Sequence, residues 1–116
     1  MADAEDLTIR RVGDVAVIQA PLYVNSDGGQ QISSAVTALR EEGVTRVVLN
    51  LSDCSLANSI GISFLIEVLE ALKGAGGRLS FCGATQTIAK TLQIMGLLQE
   101  STMHDGEDEA VAALGG

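Results

Sequence analysis

Short apolar runs alternate with amphipathic stretches along the chain, and their spacing predicts the elements in order. Leu7-Thr-Ile-Arg-Arg and Val15-Ala-Val-Ile-Gln are β-branched runs separated by Val12-Gly-Asp14. Gly13-Asp14 is a turn signal, so the two runs are expected to form a hairpin. Pro21 limits the second strand. Asn25-Ser26-Asp27 supplies helix-capping side chains, and Ile32, Ala35, Val36 and Leu39 follow at the spacing of one buried helical face, with Gly43 as its stop. Arg46-Val-Val-Leu-Asn-Leu51 is apolar enough for a central strand covered on both faces.

A second helix is expected from about Asn58, ending before the breaker Gly74-Ala-Gly-Gly77, and Arg78-Leu-Ser-Phe-Cys-Gly83 reads as the next strand. Thr85 can cap a third helix with buried positions Ile88, Leu92 and Met95, stopped by Gly96. Leu97 and Leu98 continue the apolar signal, and Ser101 to His104 can form a short edge strand. Asp105-Gly-Glu-Asp-Glu109 then places acids in the first turn of a short helix carrying Val111 and Leu114, where they complement the helix dipole. The expected architecture is α/β, a mixed β-sheet of four to five strands covered by about four helices, with no internal repeat.

Length and charge narrow the function. With 116 residues and 47% hydrophobic positions, the chain is expected to be one soluble domain over 7–114 that buries roughly two-thirds of its unfolded surface. An acidic tail, 1–6, precedes it and 115–116 follow. Of the 15 acids, three lie in residues 1–6 and five in 100–116, stretches without Lys or Arg, so the body between is neutral while the whole chain carries −8. A neutral body with acidic ends lacks the clustered cations that nucleic acid or an anionic membrane surface requires. The longest mainly apolar stretch, Ile60 to Leu72, is interrupted by Ser63, Glu67 and Glu70 and falls short of the ~20 residues of a membrane span. The start Met1-Ala-Asp-Ala-Glu-Asp has no basic, apolar leader, so a cytoplasmic location is expected. Cys54 and Cys82 stand 28 residues apart and His104 is the single histidine, which indicates neither a metal nor a redox pair. No cofactor is expected.

The loop Ser52-Asp-Cys-Ser-Leu-Ala-Asn-Ser59 carries the candidate chemistry, since it joins the end of the central strand to the second helix, the edge where α/β sheets bind ligands and partners. On a helical wheel Ser63, Glu67, Glu70, Lys73 and Gly74 share a polar sector, and Leu65, Val68, Leu69 and Leu72 face away from it. Extended backward, the wheel places Ser59 in the polar sector and Ile60 at its margin, partly exposed. Gly61 turns to the core, where a missing Cβ permits close packing. Asn58 as N-cap would leave the Ser59 hydroxyl at the first helical position beside unpaired N–H groups, a setting that tolerates a phosphate. The same residues equally suit plain helix capping.

At this point the sequence resembles the STAS family, the anti-sigma-factor antagonists and related sulfate-transporter domains, from Leu7 to Leu114. The resemblance rests on Val47-Val-Leu-Asn-Leu-Ser-Asp-Cys-Ser-Leu-Ala-Asn-Ser-Ile-Gly61, Gly76-Gly-Arg-Leu-Ser-Phe-Cys-Gly83 and Leu92-Gln-Ile-Met-Gly-Leu97. It implies a non-catalytic partner switch, in which the unmodified domain binds an anti-sigma factor that is also a serine kinase, and phosphorylation reverses the binding. Asn58 stands where the family usually has Asp, and Ile60 where most antagonists carry the phosphorylated second serine. Ser59 matches the first serine, modified in some stressosome-type relatives, and is the candidate acceptor. The expected partner face comprises Asp53, Ser55, Asn58, Ser59, Ile60, Ser63, Glu67 and Glu70, on a monomer or weak dimer.

Other readings remain open beside it. A switch-free scaffold, or an accessory subunit of a stressosome-like assembly or an anion or lipid transporter, suits the replacement of the second serine by Ile60. Catalysis finds little support: Cys54 has no histidine near it in sequence, Cys82 suits a core position, and a strand-ending Asp53 suits a turn. Gly74-Ala-Gly-Gly77 and Gly83 match no nucleotide-binding pattern.

Overall fold

A computed structural model describes residues 7–115; the expected tail 1–6 and Gly116 lie outside the described residues. The elements run β1 (Ile9–Val12), β2 (Val15–Gln19), β3 (Tyr23–Val24), α1 (Ser26–Glu41), β4 (Arg46–Asn50), β5 (Leu56–Ala57) and α2 (Ser59–Gly74). They continue as β6 (Arg78–Cys82), α3 (Gln86–Ile94), a 3-10 turn (Leu97–Gln99), β7 (Thr102–His104) and α4 (Glu107–Ala113). The main sheet has the order β1-β2-β4-β6-β7. β1 and β2 form the expected hairpin, antiparallel with Val12 opposite Val15 and Ile9 opposite Ile18, and every later pairing is parallel.

The continuous apolar runs are explained by burial on both sides. Alternate residues of β2, β4 and β6 point to opposite faces: Ala16, Ile18, Val47, Leu49, Leu79 and Phe81 join the large core under α1, α2 and α3, and Val15, Val17, Val48 and Cys82 join a smaller one under α4. Ala110, Val111 and Leu114 close that second core. Ser80, a fully buried polar residue at the centre of β6, donates its hydroxyl to the Ala110 carbonyl at 3.1 Å, so the strand's one hydroxyl fastens α4 to the sheet. Glu107 pairs with Arg10 and accepts from the Asn50 amide at 3.0 Å, tying the start of α4 to β1 and β4.

The helix starts follow their capping residues. Asn25, Asn58 and Thr85 each accept from the backbone N–H three residues on, at 3.0, 2.8 and 3.1 Å. Ile32, Val36 and Leu39 of α1 and Ile88 and Leu92 of α3 are buried as their spacing requires. Met95 departs from expectation. Sequence spacing puts it on the buried face of α3, yet it is 41% exposed, because α3 ends at Ile94 and Met95 is its cap, beyond the last residue to which helical spacing applies.

Candidate protein-interaction face at the start of α2

The chain leaves β4 over two buried side chains. Leu51 donates its N–H to the Cys82 carbonyl at 2.7 Å, and the Cys54 N–H returns to the Leu51 carbonyl at 3.0 Å. Both side chains enter the large core, which holds Ser52, Asp53 and Ser55 on the surface between and after them. Cys54 is 2% exposed and donates its thiol to the Leu56 carbonyl. Burial pushes the Cys54 and Cys82 thiols up from their ordinary value, the opposite of what a nucleophilic thiolate needs. Their role is packing.

Beyond Cys54 the structure contains a pairing that periodicity did not predict. β5 lies parallel to β3, with Leu56 opposite Tyr23 and Ala57 opposite Val24. Ser55 N–H donates to the Leu22 carbonyl at 2.8 Å, and Asn58 N–H to the Val24 carbonyl at 3.1 Å. This two-stranded sheet sets the starts of α1 and α2 side by side. The two starts are also alike in sequence, Tyr23-Val-Asn-Ser-Asp-Gly28 and Leu56-Ala-Asn-Ser-Ile-Gly61. Too short to count as an internal repeat, this echo gives each helix the same Asn cap and the same exposed serine, Ser26 and Ser59.

All eight expected partner-face residues are exposed. Asn58 caps α2 through Gly61 N–H, and its own carbonyl accepts from Ile62 N–H at 2.9 Å. Ser59 is the first residue of α2, as expected. Ile60 is 55% exposed beside it. Ser63 turns its hydroxyl back onto the Ile60 carbonyl at 2.6 Å, so it serves the helix itself. Glu67 and Glu70 continue the polar side of α2, while Lys73 pairs with Glu100. The buried side, Leu65, Val68, Leu69 and Leu72, is the one the wheel predicts.

Sequence periodicity gives no sign of three further exposed apolar residues beside this loop, Leu22, Tyr23 and Leu56, which are 53, 49 and 52% exposed. Tyr23 and Leu56, opposite one another in a parallel pair, project to the same side, on the segments that lead into α1 and α2, and Ile60 is exposed in the first turn of α2. The signal available was the chain's single tyrosine, set one residue after Pro21-Leu22.

Elsewhere, an open cleft of about 390 Å³ lies at the opposite end of the sheet. Its lining includes Arg11, Asp14, Glu42 and Arg46, and the first and third of these pair with each other. Among the described residues no three His, Cys, Asp or Glu side chains gather as metal ligands, and no helix is long and apolar enough to cross a membrane.

A five-stranded mixed sheet, with α1, α2 and α3 over one face, α4 over the other and a surface loop leading into α2, is a fold of known type. The chain belongs to the STAS domain family, whose model matches residues 8–110. It is 24% identical over 107 residues, 92% of either chain, to BtrV of Bordetella bronchiseptica, whose name assigns it as an anti-sigma factor antagonist. A Thermotoga maritima protein described in the same terms superposes with a TM-score of 0.84 at 18% identity, covering 95% of both chains. SpoIIAA, an anti-sigma factor antagonist, superposes in its unphosphorylated form with a TM-score of 0.75 at 22% identity, over 95% of this chain and 98% of that one. The phosphorylated Bacillus SpoIIAA gives 0.73 at 21%, over 92% and 97%.

Proposed function

We propose that this protein is a non-catalytic anti-sigma-factor antagonist that binds an anti-sigma factor of the serine-kinase type, and that phosphorylation of Ser59 reverses the binding. The observation that carries this reading is the exposed Ser59 at the first position of α2, on a face with three large apolar side chains and Ile60. Gly61 and Ile62 N–H groups are taken by Asn58. Those of Ser59 and Ile60 remain for a phosphate, which the positive end of a helix stabilises. The added charge of about −1.5 to −2 would sit within an apolar contact surface and oppose docking there.

SpoIIAA, known in both phosphorylated and unphosphorylated forms, supports a switch of this kind in the family. The partner face is the set Asp53, Ser55, Asn58, Ser59, Ile60, Ser63, Glu67 and Glu70, and the site of action is the cytoplasm. Affinity capture of the tagged chain from its native cells tests the partner: recovery of an anti-sigma factor with kinase activity supports the reading. Recovery of a transporter complex or a large scaffold instead would favour a second reading, a switch-free accessory subunit. That reading draws on Ile60, which offers an apolar contact and no hydroxyl at the position of the family's second serine.

A further inference from the structure

We infer that the docking surface extends from α2 across the β3–β5 pair, and that it fits a partner protein whose contact surface is apolar at its centre and ringed by Lys and Arg. This rests on the functional reading above for the partner's identity, but not for its chemistry. The apolar centre here is Leu22, Tyr23, Leu56 and Ile60, each about half exposed. For two of them alternation sets the exposure: Val24 points inward to the core, so Tyr23 and its partner Leu56 point outward. Apolar side chains flanked by polar ones at a rigid edge are the usual anchors of a specific interface.

Charge decides which partner fits. Asp27 in the first turn of α1, Asp53, Glu67 and Glu70 flank this surface, and none forms an ion pair among the described residues. Six of the seven cations lie away from it or are paired, and the seventh, Lys90, sits midway along α3. β2, β4 and β6 are parallel, so Arg46 and Arg78, at the starts of β4 and β6, lie at the opposite end from the start of α2, with Arg40 and Lys73 in the last turns of α1 and α2. Arg10, Arg11 and Lys73 are also occupied by Glu107, Glu42 and Glu100. A second copy of the same face would set unpaired acids against acids, which costs binding; a basic-rimmed partner turns the same acids into attraction and faster encounter.

Two titrations test this. The first uses the protein recovered with the tagged chain, purified, against wild type, Tyr23→Ser, Leu56→Ser, the double variant Glu67→Lys/Glu70→Lys, and Ile94→Ser as a control on the most exposed large apolar side chain among the described residues, 72% exposed. The expected result is a loss of roughly tenfold or more for the first three variants, a weaker salt dependence for the charge reversal, and no change for Ile94→Ser. The second uses a synthetic amphipathic Leu/Lys helix and its Leu/Glu counterpart, followed by amide NMR shifts. Shifts at Leu22, Tyr23, Leu56 and Ile60 with the Lys peptide alone support the inference. Equal response to both peptides, shifts confined to Ile94–Met95, undiminished affinity of the first three variants, or concentration-dependent self-association through Leu56 would overturn it. A recovered partner that is no anti-sigma factor yet loses affinity to Leu56→Ser would leave the surface standing and remove the functional reading; an anti-sigma factor indifferent to Tyr23→Ser and Leu56→Ser would do the reverse.

Discussion

Gly61 lies directly against the backbone of Val24: a Cβ on Gly61 would sit 1.9 Å from the Val24 carbonyl oxygen, whose partner N–H belongs to Asn58. One carbonyl thus fixes both the β3–β5 pairing and the seat of α2, and through them the presentation of Ser59 and Ile60.

Gly61→Ala is therefore expected to destabilise the fold by about 2 kcal/mol or more, since the obstructing atom is backbone and cannot rotate away. Gly28→Ala should behave similarly, because its Cβ would stand 2.1 Å from the Tyr23 carbonyl oxygen. Gly74→Ala, with open space around its Cβ, is the control. Denaturant midpoints check the series, and equal midpoints for Gly61→Ala and Gly74→Ala would contradict it.

Ser59→Asp places a carboxylate at the first position of α2, where the helix dipole accepts it, so the fold should keep its stability while partner affinity falls. Calorimetric titration and a melting curve on the same variant separate the two effects. Unchanged affinity counts against a charge-operated switch.

Ile60→Ser removes an exposed apolar group from the proposed contact surface and is expected to weaken partner binding by about 1 kcal/mol or more. Its hydroxyl would also stand where most antagonists carry their acceptor. A variant that binds as wild type removes Ile60 from the interface.

The thiols give a pH dependence with a defined sign. Burial raises Cys54 and Cys82 above the ordinary 9.0, so the folded chain holds these protons to higher pH than the unfolded one. Their contribution is fully present below 9.0 and is lost as pH rises beyond it through the raised values. Urea midpoints should fall in that alkaline range and fall less in Cys54→Ala. A neutral-pH thiol reagent should label neither cysteine until the chain unfolds.

Much of this architecture was legible because the parallel sheet leaves strong marks. Val47 to Leu49 is apolar on both alternations because both faces are covered, and Asn25, Asn58 and Thr85 mark helix starts through side chains that satisfy free N–H groups. The polar side of α2 and the exposure of Ile60 followed from the same wheel that buried Leu65 and Leu72. What escaped had no period to read. Two-residue strands such as Tyr23–Val24 and Leu56–Ala57 show no alternation, and their pairing depends on a contact between residues 33 positions apart in register. Met95 failed for a related reason, since helical spacing has no meaning one residue past the helix.

The most direct measurement is phosphate mapping on the purified chain after incubation with its recovered partner and ATP, by mass spectrometry of the segment 46–73, alongside Ser59→Ala. The account predicts phosphate on Ser59, none on Ser59→Ala, and release of the partner as the label accumulates. Phosphate on another residue, or a partner that stays bound to the Ser59-phosphorylated chain, would contradict it.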